Sequence, residues 1–453
     1  MIEPNLDSYS PKFTEWTERD YVCSDLRYCE PMTAHALEED SEQDKALSDP
    51  NNFIEEKFDG TRGILHFLNN CCRVFSRRIS KKTNWFTENT DSLPQMREIV
   101  IPELSGTVID GEMFIPDRPF KDVSSTLNCK WDKAIDRQKE LGWIVFHAFD
   151  ILYYRGICVE DLSLMRRKKL LRKVIDVLES RGIQCVVEVP YFQCGNSLTV
   201  SVSRSLTLLQ KIKGFKTKYP TLHSEILKSK SPLQLQLSPR GYYEYIVANG
   251  GEGVIIKNKD LKYVHKRDKA YLKIKKFYTR ECILLGFTEP TREYTGKFPD
   301  DKWDYWETSE GSKVTDKRIS EESAKELLKQ GYVPVTRFYY NKWVGNMVFG
   351  VIITDEEIES LPKNKKFNIH GVELCCPPCN DHTFCKVLEV GECSGFDDEL
   401  RAKLSHYRTT GRVVEVKCNE VFKDTGKLRH PRFLRFRDDK DPVECTYYNH
   451  ITE

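Results

Sequence analysis

Lys57-Phe58-Asp59-Gly60-Thr61-Arg62 places a primary amine two residues before an Asp-Gly turn, with an arginine three residues beyond the aspartate. Lysine is a weak nucleophile while protonated, and neighbouring cations disfavour its charged form. An amine beside a turn with a second cation nearby is therefore a way to build a nitrogen nucleophile for a phosphorus centre. The competing reading is an exposed Asp-Gly hairpin turn flanked by solvated charges. What decides between them is whether the chain also supplies groups that hold phosphate and metal.

Five further segments follow in order. Ser76-Arg77 closes the strand after the lysine turn, and Ile109-Asp110-Gly111-Glu112 puts a carboxylate after a second Asp-Gly turn. Phe146-His147-Ala148-Phe149-Asp150 lies within an apolar run. Glu252-Gly253-Val254-Ile255-Ile256-Lys257 begins with a carboxylate and ends with a cation, and Leu272-Lys273-Ile274-Lys275 follows it. On a strand, Lys273 and Lys275 share one face. Glu112 and Glu252 are suited to Mg²⁺, which binds phosphates through one or two carboxylates and water. Lys257, Lys273 and Lys275 are suited to clamp a phosphate and to lower the pKa of Lys57. Phe149 offers a ring on which a base can stack. No Gly-x4-Gly-Lys-Ser/Thr loop occurs, so the nucleotide site is not a P-loop.

The elements that must position these residues read as α+β with antiparallel sheets. Runs at 63–68, 108–115, 143–153, 186–191 and 254–257 are predicted strands. Ser163 is a predicted helix cap, with Leu170, Leu171, Val174, Ile175 and Leu178 on one face and Gly182 beyond the end. Strands and helices do not alternate regularly, which argues against a doubly wound sheet. After Phe277, runs at 282–287, 347–353 and 413–422 suggest a small β-barrel, with helices over 321–330 and 397–406. The expected organisation is an acidic lead-in over 1–29, a first domain over 30–277, and a second over 278–453 carrying a polar, aromatic insertion at about 290–342. The first 50 residues as a whole read as loosely structured.

A chain of 453 residues, 39% hydrophobic and 31% charged, fits a globular protein of two or three domains. No run of 18 apolar residues occurs, which excludes a transmembrane helix. The beginning Met1-Ile2-Glu3-Pro4-Asn5 lacks the pattern of an export signal, so the 16 cysteines read as reduced thiols and the expected location is cytoplasmic. The net charge of +1 divides unevenly: residues 1–50 hold 13 acidic and 4 basic side chains, a net of −9, leaving +10 on the rest. Basic groups cluster at Arg77-Arg78 with Lys81-Lys82, at Arg166 to Lys169, between Lys257 and Lys276, and at Arg429, Arg432, Arg435 and Arg437. Such clusters suit a polyanion, whose condensed counterions are released on binding. Cys376-Pro377-Pro378-Cys379, with His382 or Cys385 and near His370 and Cys375, has zinc-knuckle spacing. No second Cys-x2-Cys follows, which favours structural thiols over zinc.

In their order and spacing these segments resemble the covalent nucleotidyltransferase superfamily, most closely the ATP-dependent DNA ligases in their compact, phage-like form. The resemblance implies a nucleotidyltransferase (adenylation) domain followed by a C-terminal OB-fold. It implies that Lys57 attacks the α-phosphate of ATP, that AMP passes to the 5′-phosphate of a nick in duplex DNA, and that the 3′-hydroxyl then displaces it. It further implies that Glu55 meets the adenine amino group, that Arg62 and Arg77 contact the sugar and later the 5′-phosphate, and that Phe149 stacks on adenine. Glu112 would bind ribose or metal, Glu252 would support Mg²⁺ (or Mn²⁺), and Lys273 and Lys275 would hold the α-phosphate. Glu30-Pro31-Met32-Thr33-Ala34 resembles the segment preceding the lysine in ligases. The ending Arg437-Asp438-Asp439-Lys440 resembles the segment that orients pyrophosphate, through Arg437 and Lys440. The implied substrates are ATP and nicked duplex DNA, acted on by a monomer away from membranes. An mRNA-capping guanylyltransferase, an RNA ligase and a non-catalytic nucleic-acid-binding OB module stay open as alternatives.

Overall fold

The computed structural model describes residues 31–80, 85–201, 215–228, 234–294, 304–308, 311, 320–376, 381–407 and 410–452. The chain divides into two compact units, Met1–Lys276 and Phe277–Glu453.

The described part of the first unit contains strands β1 (Thr33–Ala36), β2 (Asn52–Lys57), β3 (Thr61–Phe67), β4 (Cys72–Ser80), β5 (Trp85–Glu88), β6 (Val108–Phe114) and β7 (Val145–Tyr154). These are followed by β8 (Ile157–Cys158), β9 (Val186–Glu188), β10 (Tyr191–Gln193), β11 (Leu198–Ser201), β12 (Gln234–Leu237), β13 (Gly253–Asn258) and β14 (Arg267–Lys275). One sheet runs β1-β14-β13-β2-β10; the other runs β5-β4-β3-β6-β7-β8, with β9 also on β7. Pairings are antiparallel except β1 with β14 and β7 with β9. The α+β architecture with antiparallel sheets thus holds. The helix Leu164–Ser180 starts directly after Ser163, although that side chain makes no capping bond, and it stops before Gly182 at φ +75°. Its Leu171, Val174, Ile175 and Leu178 pack on Phe146, Ala148 and Ile151 of β7 in one core. A second core lies against the other sheet, where Ile54, Val254, Ile256 and Ile274 meet Tyr242, Ile246 and Val247 of the helix Pro239–Ala248.

Several local expectations are corrected. Residues 31–50 are not loose: Thr33–Ala36 closes one edge of the first sheet, and Asp40–Ser48 is helical. The run 186–191 is two strands, β9 and β10, in different sheets. Asp59-Gly60 is not a hairpin turn, because β2 and β3 belong to different sheets and the segment crosses between them. A Cβ on Gly60 would stand 2.3 Å from the Met113 carbonyl oxygen, so close approach is what requires glycine there. Asp110-Gly111 makes no turn either. It lies inside β6, at a register shift against β7, and a Cβ on Gly111 would meet the Phe146 ring at 2.3 Å. Ser76-Arg77 sits within β4 rather than at its end.

The second unit holds a six-stranded antiparallel sheet in the order 369–376, 381–393, 347–352, 278–287, 413–418, 432–436. The expected strand 413–422 breaks after Cys418, and Glu420–Val421 pairs instead with Leu428–Arg429. Helices Glu321–Lys329 and Asp398–His406 are present, the latter capped by the Asp397 side chain. Residues 290–342 lie between two strands that pair directly, and carry the small ladder Trp306–Glu307 with Val333–Pro334. Among the described residues no helix is long and apolar enough to cross a membrane.

Candidate functional site

Strand alternation sorts β2, β13 and β14 into an apolar face and a chemical face. Register aligns Lys57 with Gly253 and Lys275, then Glu55 with Ile255 and Lys273, then Phe53 with Lys257 and Tyr271. Their neighbours Ile54, Val254, Ile256 and Ile274 point into the core. Glu56 is on that apolar side of β2, and burial pushes its carboxyl up to about 7. Gly253 is required on the chemical face: its φ is +144°, and a Cβ would lie 2.1 Å from the Ile274 carbonyl oxygen.

The chemical face lines a cavity of about 290 Å³, at the small end for a ligand site. Its walls include Thr33, Ala34, Glu55, Lys57, Arg62, Arg77, Glu112, Phe149, Tyr271 and Lys273. The structure therefore brings seven of the sequence-predicted residues, Glu55, Lys57, Arg62, Arg77, Glu112, Phe149 and Lys273, to one cavity, and Glu252 and Lys275 adjoin it, Glu252 pairing with both Lys57 and Lys275. Lys57 Nζ donates to Glu252. Glu112 is pushed up to about 7, first by loss of solvation, against the pull of Lys57 and Arg62 and with a push from Glu252. Two carboxylates side by side next to a phosphate-sized cavity are the donor set Mg²⁺ accepts. Among the described residues no group of three or more His, Cys, Asp or Glu is placed to hold a metal ion, so a cation here would complete its shell with substrate oxygens and water. Lys273 is held below the ordinary lysine value by burial, then by Lys275, Lys57 and Arg267.

Arg62 reaches its position through a relay. Its Nε and Nη2 donate to Asp110 at 2.6 and 2.5 Å, and Asp110 also accepts from the Tyr263 hydroxyl at 2.6 Å. That hydroxyl in turn accepts from the Met32 N–H at 3.1 Å. The guanidinium lies 4.6 Å from the Phe149 ring centre. The pairing of Asp110 with Tyr263 is not legible in the sequence, because 153 residues separate the two and only the fold joins them. We expect Tyr263→Phe to lower stability by about 1–3 kcal/mol, since it strips a partner from a buried carboxylate. Urea unfolding with an unchanged slope would check it.

Two expectations are corrected at the floor of the cleft. Lys257 does not reach towards a phosphate: its Nζ donates to Glu55 at 2.8 Å and lies 4.5 Å from the Phe149 ring centre. The run Arg166 to Lys169, expected with the other basic clusters to suit a polyanion, offers only part of its charge to one, because Arg167 and Lys168 are fully buried. Lys168 Nζ stands 2.5 Å from the other Glu55 oxygen.

In the second unit Arg437 and Lys440 converge on Glu281, at 2.5 and 3.6 Å, and Arg437 also holds Asp439 at 2.8 Å. The side chains of Cys375, Cys376 and Cys379 fall outside the described residues. Of their suggested zinc partners, His370 faces Glu389 and His382 faces Glu373, each at 3.5 Å.

Residues 31–208 match the model of the ATP dependent DNA ligase domain. The chain is 25% identical to "DNA ligase 2" of Methanosarcina acetivorans, over 86% of this chain and 53% of that protein. It is 26% identical to "DNA ligase 2" of Methanosarcina mazei, with the same coverage. The chain thus spans about half the length of these curated relatives. A solved structure titled "Pmar-Lig_Pre." is similar at 16% identity and a TM-score of 0.49, over 90% of this chain and 67% of that one.

Proposed function

From residues 31–208, which carry an ATP-dependent DNA ligase domain, we propose that this protein seals 5′-phosphate/3′-hydroxyl nicks in duplex DNA at the expense of ATP. The observation that carries the reading is the register across β14, β13 and β2, which sets Lys57 level with Lys275 and Glu55 level with Lys273, with Glu55, Lys57, Lys273, Arg62 and Phe149 lining one cleft. In the first step Lys57 Nζ, released from Glu252, forms a bond to the α-phosphorus of ATP while the bond to pyrophosphate breaks; the amine's proton goes to solvent or to Glu252. In the second, a 5′-phosphate oxygen of the nick takes the AMP and regenerates the lysine. In the third, the 3′-hydroxyl attacks that 5′-phosphate and AMP leaves.

Lys273 and Lys275 hold the α-phosphate, Arg62 and Arg77 meet the sugar and then the nick's 5′-phosphate, and Phe149 packs on the base. Glu112 and Glu252 would hold Mg²⁺, whose charge offsets that developing on the phosphate oxygens. For the second unit we propose an OB-fold that brings Arg437 and Lys440 to the pyrophosphate during the first step, the antiparallel sheet and the convergence of both cations on Glu281 supporting it. The protein works as a monomer on this reading.

Intact-mass measurement after incubation with Mg²⁺ and ATP or GTP tests the proposal. We expect a gain of one AMP per chain from ATP, chased onto nicked duplex DNA. A GMP adduct instead would assign the site to the capping reaction. No adduct from either, on protein stripped with pyrophosphate, would leave the non-catalytic reading.

A further inference from the structure

Glu55 is held by two buried ammonium groups, one on each carboxylate oxygen. Lys168 Nζ is 2.5 Å from Oε1 and Lys257 Nζ is 2.8 Å from Oε2; the three side chains are 0%, 3% and 2% exposed for Lys168, Lys257 and Glu55. Lys257 belongs to the same sheet, directly opposite Phe53 on β2. Lys168 comes from elsewhere, the second turn of the helix Leu164–Ser180, and its ammonium also lies 4.7 Å from the Tyr191 ring centre. A fully buried lysine is uncommon, and burial holds this one below its ordinary value despite the Glu55 charge. Replacing a buried ion pair by packed hydrophobic groups is often neutral or stabilising, so stability alone is a poor reason for this lysine.

Glu55 is one of the carboxylates that line the cleft, and it is 2% exposed. With an ammonium group against each oxygen, its carboxylate offers only hydrogen-bond acceptors. A base presenting an amino group at its edge satisfies it, whereas a base presenting a carbonyl oxygen sets acceptor against acceptor. We propose that Lys168 is a positioning residue for base selection, holding Glu55 as an oriented acceptor for the exocyclic amino group of the nucleotide. This rests on the nucleotide-transfer reading above and goes beyond it in assigning the selectivity to a lysine from a different helix. With Lys168 removed, Lys257 alone draws the carboxylate to one side, and the acceptor is no longer fixed in place.

The test uses Lys168→Met, close in shape and uncharged, on the full chain, with the rate of the mass adduct followed against nucleotide concentration. The probes are ATP and purine riboside triphosphate, which lacks the 6-amino group. We expect wild-type protein to prefer ATP at least about tenfold in half-saturating concentration, the range for a hydrogen bond to a charged group. In Lys168→Met the half-saturating concentration for ATP rises about tenfold, the preference collapses, and the maximal rate changes less than about threefold. Should Lys168→Met not fold, Lys168→Arg, which keeps the charge and moves the donor, is measured in its place and is expected to shift the ATP preference in the same sense. Equal preference in variant and wild type overturns the proposal. A wild-type adduct forming equally well with both nucleotides overturns the role of Glu55, and no adduct at all overturns the function itself.

Discussion

We expect Lys57→Ala to abolish the nucleotide adduct and with it multiple-turnover nick sealing, a loss of roughly 10⁴-fold or more, as follows when a covalent nucleophile is removed. The argument is geometric. Lys57 ends β2 opposite Gly253, a position where any side chain would collide with the Ile274 carbonyl, so nothing stands between the amine and Lys275 except the Glu252 carboxylate that bridges them. Lys275 is level with Lys57 but two strands across the sheet on β14, and Lys273 is two residues further along that strand, so neither can replace an amine that must approach phosphorus in line. Lys57→Arg should fail as completely, because a guanidinium stays protonated and offers no lone pair. The last step consumes no lysine, so Lys57→Ala should still seal a nick supplied with a preformed adenylated 5′ end. An adduct of unchanged mass in Lys57→Ala would place the nucleophile elsewhere. Loss of sealing on the preformed intermediate would mean that the substitution disturbs more than the nucleophile.

What the sequence could show of this site follows from what is local. Period-two spacing puts Glu55 with Lys57, and Lys273 with Lys275, on common faces, and the ladder register confirms that these faces coincide. The roles of Lys168 and Tyr263 are set by partners more than 100 residues away, and that of Asp110 by Arg62 and Tyr263, 48 and 153 residues away, and no spacing rule reaches them. Arg166 to Lys169 shows how composition misleads: four consecutive cations look like a surface cluster for a polyanion, yet helical geometry turns Arg167 and Lys168 inward together onto two buried carboxylates, Asp150 and Glu55. The two Asp-Gly pairs mislead for another reason. Glycine there meets tight backbone or ring contacts between neighbouring strands, not a turn, and only the packed structure distinguishes the two uses. Lys257 was read from its place at the end of an apolar strand, correctly as a strand end, but its ammonium is drawn to Glu55 across the sheet.

Asp150→Ala should be the most damaging change away from the nucleophile. Arg167 donates to both Asp150 oxygens, at 2.7 and 3.0 Å, and through Nη1 to the carbonyls of Leu162 and Leu261 at 2.5 and 2.8 Å. The guanidinium therefore ties β7, in one sheet, to the loop between β13 and β14 in the other, across the base of the cleft. Removing the carboxylate leaves a fully buried cation with carbonyl partners only. Breaking a buried pair in this way costs about 3–5 kcal/mol. The first unit's unfolding temperature should fall by on the order of 10 °C, and the half-saturating ATP concentration for adduct formation should rise as the two sheets loosen. The pH dependence has a defined sign. Burial alone would raise the Asp150 pKa, but Arg167, with Lys257 and Lys168, holds it below the ordinary carboxylate value. Its contribution is therefore complete above the unfolded carboxylate value of about 4 and is lost as pH falls through the lower folded value. The stability gap between wild type and Asp150→Ala should stay level from neutral pH down to about 5 and close in stronger acid. Thermal unfolding of both proteins across that range measures it; a gap that is absent at neutral pH, or that widens in acid, would show that Arg167 is not held by the charge of Asp150.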